Sequence, residues 1–415
     1  MNIDEIREKA SWCLGCKGKP CSNACPMNTE IPEFIEEIKK DNLKNAYNIL
    51  LSNNLFSHVC SKICPQENQC EGACVRGIKQ TATKIGELEN FVNEWANENN
   101  IKPDIVTKKV RNDVKVAIVG GGPAGLSCAY ELIKNGIKSV VYEKENSLGG
   151  ILVYGIPDFR LEKSVITNIV DTLIELGVEF KLGHALGKNI NIKDLKKEYD
   201  CVFLGIGAEI SSTYRLSEEE LENVYDSDEF LRAYNNKKYI NNLGKVVVIG
   251  GGNVAMDAAR AAIHMGAKKV SILYRRDIEH MPARKIELED ALADGVEFKE
   301  LVRVISANGK NGKMENVHCI RTKIIDGKAV DVEGEEFNYE ANTVVFAIGL
   351  KPNRKLLEEE GIKLTDWGTI EVDENNQTNI KNIFAGGDVV DNKSVVCRAL
   401  ASGKKAAISI MSKIN

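Results

Sequence analysis

Residues 116–125, VAIVGGGPAG, decide the fold. Four apolar residues run into Gly120, Gly122 and Gly125 at G-x-G-x-x-G spacing, and a helical pattern follows over 126–135. That is a strand, a tight turn and a helix whose N-terminal N–H groups and positive dipole end suit a pyrophosphate. In isolation the same spacing also occurs in ordinary turns. Here the next strand, SVVYEK over 139–144, carries Glu143 about twenty residues on, where a carboxylate accepts hydrogen bonds from an adenosine ribose. A dinucleotide site in an α/β fold follows.

A second such unit begins at Lys245, KVVVIGGGNVAMDAARAAIHMG, with Gly250, Gly252, Asn253 and Ala255 in and beside the fingerprint positions. Its next strand, VSILYRRD, ends on Arg275 and Arg276, where the first unit carries Glu143. A carboxylate there repels a ribose 2′-phosphate, whereas two guanidinium groups grip it with charge-assisted, bidentate hydrogen bonds. The second unit is therefore expected to prefer NADP, and the first to hold FAD. A solvated arginine pair at a strand end is the plain alternative, and Arg284 in MPARK is a further candidate.

Other stretches extend the first site. Gly149 and Gly150 follow the acidic strand and open ILVYGIPDFRLEKSV, in which Arg160 faces either a phosphate or nicotinamide-side group or plain solvent. NIFAGGDVV, over 382–390, ends a strand on Gly387 and Asp388, suited to a flavin ribityl chain and pyrophosphate. The helix after it, from near Ser394, would turn its positive end toward the isoalloxazine. The glycine-bearing strands CVFLGIGAE and VVFAIGLKPN suggest two crossings between the same two domains, and 296–340 reads as a three-stranded antiparallel connection.

The chain has 415 residues, more than one hydrophobic core usually supports, and a net charge of −5 that gives no reason to expect nucleic acid or a membrane as partner. No apolar run approaches the roughly twenty residues of a membrane span, and no signal-peptide core is seen, so a cytoplasmic location is expected. Eight of the 12 cysteines lie in the first 74 residues, as Cys13, Cys16, Cys21 and Cys25 before Pro26, then Cys60, Cys64 before Pro65, Cys70 and Cys74. Such close spacing with Cys-Pro suits two [4Fe–4S] clusters. Zinc is the competing reading, but four cysteines within thirteen residues are crowded for a finger-type site. Between and after the two groups, IPEFIEEIKKDNLKNAYNILLSNN and TKIGELENFVNEWANE have helical periodicity, making a small helical domain.

CLGCKGKPCSNACP, ICPQENQCEGACVRG, GGGPAGL, GGILVYGIPDFRL, GGGNVAMD, LYRRD with EHMPA, and FAGGD occur in one order along nearly the whole chain. In these motifs the chain resembles the small subunit of glutamate synthase, with the N-terminal half of dihydropyrimidine dehydrogenase and the flavin subunit of ferredoxin-dependent transhydrogenase as relatives. The resemblance implies a helical two-cluster domain over 1–110, an FAD domain in two parts, 111–240 and 345–415, and an inserted NADPH domain over 241–344. It further implies interleaved ligands: Cys13, Cys16, Cys21 and Cys74 around one cluster, and Cys25, Cys64 and Cys70 around the other. The fourth ligand of the second cluster would then be Glu89, with Cys60 the competing choice.

The expected activity is that of an NADPH-dependent FAD and iron–sulfur oxidoreductase of the glutamate synthase small-subunit type. Hydride would pass from NADPH to FAD and single electrons through the clusters to a larger subunit or a ferredoxin-like protein. No general acid or base is expected. A thioredoxin-reductase-like enzyme is a rival, but Cys128, Cys201, Cys319 and Cys397 are isolated in sequence. A non-catalytic electron-relay or scaffold subunit is another.

Overall fold

In the computed structural model, which describes residues 3–212, 216–217, 221–391 and 393–414, the apolar run before the first glycine loop forms strand Arg111–Val119. Helix Pro123–Lys134 follows. Pro123 occupies the first helical turn, where its missing N–H has no intrahelical partner to lose. The strand is third in a five-stranded parallel sheet ordered Ile383–Ala385, Cys201–Leu204, Arg111–Val119, Ile137–Glu143, Glu179–Leu182. Residues 116–119 are buried and wholly apolar, as a parallel strand covered on both faces requires.

The second glycine loop repeats this plan. Strand Lys245–Ile249 is third in a parallel sheet ordered Val224–Asp226, Thr343–Phe346, Lys245–Ile249, Lys269–Leu273, Glu297–Lys299. The expected α/β class with two Rossmann-like domains holds. In each sheet the strand that leads to the charged residue lies beside the glycine-loop strand: Val119 pairs with Tyr142, and Ile249 with Leu273.

Backbone contact explains the first glycine of each loop. Gly120 has φ 108° and Gly250 φ 151°. A Cβ on Gly120 would lie 2.4 Å from the carbonyl oxygen of Gly205, and one on Gly250 2.3 Å from that of Ala347. The chain leaving the neighbouring strand thus runs directly across each loop, at Gly205 in CVFLGIGAE and at Ala347 in VVFAIGLKPN.

The chain falls into two compact units, one of residues 1–152, 160–208 and 352–415, the other of 153–159 and 209–351. Within the second, strand Ile210–Ser211 pairs antiparallel with Leu350–Lys351, joining the entering and leaving segments. The brief excursion of 153–159 was not anticipated from sequence. Its aromatic residues hold it: the Arg232 guanidinium lies 4.7 Å from the Tyr154 ring, and Phe159 packs edge-on to His264 at 4.9 Å and under Arg260 at 4.3 Å. The antiparallel connection has its three strands at Val302–Lys310, Lys313–Ile325 and Lys328–Glu340, the last two 13 residues long.

In the first unit the periodic stretch over 31–53 divides into helices Ile31–Lys39 and Leu43–Asn53. Asp41 takes φ 62° between them, and the Asn42 side chain caps the second by accepting from Asn45 N. Helices Ser57–Ile63 and Ile85–Glu98 complete a core around Phe34, Ile35, Leu50 and Leu88. This core packs onto the first glycine-loop helix, where Tyr130 Oη donates to Leu51 O at 2.8 Å and Lys134 Nζ to Ser52 O at 2.6 Å. The last helix, Val396–Ile414, lies along the same helix, with Ser127 Oγ donating to Leu400 O at 2.8 Å. Among the described residues no helix is long and apolar enough to cross a membrane.

That helix pair packs tightly at Gly403, where a Cβ would stand 2.0 Å from the carbonyl oxygen of Ala124. Gly403→Ala must therefore part the two helices, and a loss of about 1–3 kcal/mol is expected, the usual cost of overpacking. Denaturant unfolding of the full chain measures it; an unchanged midpoint would show that the contact is not tight.

Candidate functional site

The first glycine loop and the acidic strand are joined through the backbone. Gly121 N donates to Glu143 Oε2 at 2.7 Å and Glu145 N to Oε1 at 2.9 Å. Glu143 is buried, yet each carboxylate oxygen retains a further lone pair for a ribose hydroxyl. Gly149 N donates to Gly121 O at 2.7 Å, and a Cβ on Gly150 would lie 3.0 Å from Gly122 Cα. Gly122, Gly149 and Gly150 thereby form a side-chain-free surface beside the helix N-terminus that begins at Pro123, with Gly125 packed on the loop behind it. That surface fits a dinucleotide. Arg160 stands half-buried where the chain re-enters this unit.

Gly387 and Asp388 follow strand Ile383–Ala385 in the same unit. Gly387 N donates to Ser402 Oγ at 3.1 Å, fixing the GGD segment to the last helix. Burial, aided by the charge of Asp391, pushes the Asp388 carboxyl up to about 6. A cavity of about 600 Å³ runs between this segment and the cysteine-rich loops, lined by Cys25, Pro26, Gly387, Asp388, Ser394 and Arg398 among others.

In the second unit the Tyr274 ring covers the glycine loop so closely that a Cβ on Gly251 would lie 2.4 Å from it. Tyr274 Oη accepts from Arg276 Nε at 2.9 Å and donates to His280 O at 2.9 Å, holding Arg276 at the strand end beside exposed Arg275. Asn253 Oδ1 accepts from Arg284 N at 2.9 Å, and Ala283 N donates to Gly251 O at 3.1 Å, so the MPARK segment closes over the loop. Ala255 is fully buried behind it. Three arginines thus border a loop of Gly250, Gly252 and Asn253, a donor set suited to a phosphorylated ribose.

The eight N-terminal cysteines divide by neighbourhood rather than by sequence order. Burial raises the Cys21 thiol, with Cys13 and Cys74 adding to the effect, and Cys16 lies three residues beyond Cys13. Burial likewise raises Cys25, with Cys60 and Glu89 adding, and Cys70, with Glu89 and Cys25 adding. Cys74 therefore joins the first group of thiols and Cys25 the second. Cys25 Sγ donates to Thr29 Oγ1 at 3.5 Å and Cys74 Sγ to Thr83 Oγ1 at 3.7 Å. Among the described residues no three His, Cys, Asp or Glu side chains converge as ligands of a single ion would.

Glu89 is buried on helix Ile85–Glu98 and accepts from Ser57 Oγ at 2.8 Å, which in turn accepts from Asn93 Nδ2 at 2.9 Å. Burial raises its carboxyl to about 7 despite the Ser57 hydrogen bond. A carboxylate buried among thiols, with no cationic side chain bonded to it, fits a metal ligand. Cys397, on the first turn of helix Val396–Ile414, is buried with its sulfur 3.2 Å from Gln69 Nε2, beside Cys70. Cys397 is thus isolated in sequence but not in space, and neither spacing nor periodicity signalled it; Cys128, Cys201 and Cys319 are buried elsewhere.

Two family models match. Residues 114–406 match the pyridine nucleotide-disulphide oxidoreductases, and residues 1–101 match dihydropyrimidine dehydrogenase domain II, 4Fe-4S cluster. The glutamate synthase [NADPH] small chain of Escherichia coli (strain K12) is 36% identical over 98% of this chain and 91% of its own length. That of Azospirillum brasilense is 33% identical over 98% and 89%. The beta subunit of an NADP(+)-dependent formate dehydrogenase from Moorella thermoacetica is 32% identical over 94% of this chain and 59% of its own. Among solved structures, FprA of Mycobacterium tuberculosis in complex with NADPH has a TM-score of 0.62 at 21% identity, covering 72% of this chain and 84% of that one. Thioredoxin reductase of T. acidophilum has 0.57 at 21%, covering 73% and 99%. The chain belongs to the pyridine nucleotide-disulphide oxidoreductases, and within them to the glutamate synthase [NADPH] small-chain family with an N-terminal 4Fe-4S domain.

Proposed function

We propose that this oxidoreductase takes a hydride from NADPH onto FAD and delivers single electrons through two [4Fe–4S] clusters to a larger subunit or a ferredoxin-like protein. When bound, the nicotinamide and flavin supply hydride chemistry and the clusters one-electron chemistry. Gly250, Gly252, Asn253 and Ala255 hold the NADPH pyrophosphate side, and Arg275 and Arg276 grip its 2′-phosphate. Gly120, Gly122, Gly125, Gly149 and Gly150 cradle the FAD pyrophosphate, Glu143 accepts from its ribose, and Gly387 and Asp388 face its ribityl chain. Arg160 supplies a positive charge near the same cofactor. Cys13, Cys16, Cys21 and Cys74 hold one cluster; Cys25, Cys64, Cys70 and Glu89 hold the other, with Cys60 beside it.

One observation carries this reading: Cys25 and Pro26 line the same cavity as Gly387 and Asp388, so a cluster-ligand loop and the flavin segment share one compact unit. The chain itself holds and orients the groups; it needs no acid or base. The names of the relatives, small chains and a beta subunit, support a larger partner.

Anaerobic mixing of the full chain with NADPH should bleach the flavin band and then raise reduced-cluster EPR signals, with about eight irons per chain. No bleaching would favour a subunit that only relays charge. Replacing Arg275 and Arg276 with alanine removes charged hydrogen bonds worth about 1.5–3 kcal/mol each, so KM for NADPH should rise roughly tenfold or more while that for NADH changes little. Equal losses would mean that the pair does not read the phosphate. Cys60→Ser should keep the iron content, whereas Glu89→Ala should alter the EPR signal of the second cluster; the reverse pattern would exchange their roles.

A further inference from the structure

We propose that Ser57, held by Asn93, is a positioning residue for the second cluster: it donates to one carboxylate oxygen of Glu89 and so presents the other to the metal. The inference rests on the cluster reading above, in which Glu89 is the fourth ligand. Ser57 opens helix Ser57–Ile63, and Glu89 and Asn93 stand one turn apart on helix Ile85–Glu98. All three side chains are buried, Ser57 completely. Ser57 Oγ lies 2.8 Å from Glu89 Oε1, and Asn93 Nδ2 lies 2.9 Å from Ser57 Oγ and 2.8 Å from Glu89 O.

The direction of each bond follows from the donors available. Were the Asn93 amide turned over, its oxygen would face the carbonyl oxygen of Glu89, acceptor against acceptor. Its nitrogen therefore stands there and uses both N–H groups, one on Glu89 O and one on Ser57 Oγ. Ser57 Oγ accepts from Asn93, so its own hydrogen is directed to Glu89 Oε1. The serine is fixed in turn, since Ser57 N donates to Asn54 O at 3.0 Å and Asn54 Oδ1 accepts from Phe56 N at 3.0 Å. The same Asn54 donates from Nδ2 to Cys60 Sγ at 3.3 Å. One turn thus gives a donor to each of the two groups that compete for the fourth position, an amide to the sulfur and a hydroxyl to the carboxylate. A glutamate side chain turns about several bonds, and the Ser57 bond removes that freedom before any metal is bound. A donor on a ligand carboxylate also favours the reduced, more negative cluster and so raises its potential.

Ser57→Ala in the anaerobically reconstituted full chain tests this. The iron content should stay at that of the unchanged protein, while the potential of the second cluster, read by EPR-monitored titration, shifts negative and its EPR line shape changes. Ser57→Thr, which keeps the hydroxyl, should return both toward the unchanged protein. An unmoved potential and line shape in Ser57→Ala would overturn the proposal. The same shift, or the same loss of the cluster, in Ser57→Ala and Ser57→Thr would overturn it too, because packing alone gives that result. If Ser57→Ala does not fold, Asn93→Ala lets the hydroxyl turn away and should shift the potential the same way; no shift there overturns the proposal equally. An unchanged cluster signal in Glu89→Ala would instead defeat the ligand assignment beneath the proposal, and absence of iron from the unchanged protein would defeat the cluster reading itself.

Discussion

The packing of helix Val396–Ile414 against helix Pro123–Lys134 is the contact on which the rest of the first unit depends. Gly403 lets the two backbones meet at Ala124, and Ser127 ties the helices further along. The first helix carries the opening glycine loop at its N-terminus. The second follows the GGD segment and bears Cys397 and Lys404. Lys404 reaches back to Asn53 Oδ1 at 2.7 Å, so the same helix is bonded to the cysteine-rich segment. Segments about 350 residues apart in sequence are thereby bonded, and the cavity is lined from both.

The two dinucleotide units show how one backbone plan serves opposite electrostatics. Strand order, first glycine and the chain crossing each loop correspond between them. What differs is the group at the end of the neighbouring strand. Glu143 is buried and held by two backbone N–H donors, whereas Arg276 is held by a tyrosine hydroxyl beside an exposed arginine. Holding Glu143 costs little because its charge is satisfied by the loop it stabilises. An arginine in that position would face the same N–H groups and meet no acceptor there.

Much of this was legible in the sequence because its signals are local. Glycine spacing, the charge at a strand end and apolar runs fix the parallel strands and both loops through a few consecutive residues. The break at Asp41 was not legible, since the apolar period continues across it and only a left-handed backbone at one polar residue divides the helix. Nor was the excursion of 153–159, which is held by cation–π and edge-on ring contacts from distant helices. In the candidate site, the cysteine spacing pointed to clusters, but the division of thiols between two neighbourhoods depends on how loops fold back. Cys397 lay beyond any spacing rule, because its partner Gln69 is 328 positions earlier and the link between them is tertiary.

Burying thiols and a carboxylate together is unfavourable for the protein without metal. Burial pushes the Cys25 and Cys70 thiols upward and Glu89 to about 7, so near neutral pH the two thiols hold their protons and the carboxyl is only partly ionised. Binding iron must displace those protons, and the stability gained by folding is then linked to metal loading. The sign for Glu89 is definite. A carboxyl raised by burial contributes stability to the metal-free fold that is full only below its ordinary value of 4.5 and declines above it. That contribution is lost as the pH climbs through about 7 and the buried carboxylate stands uncompensated.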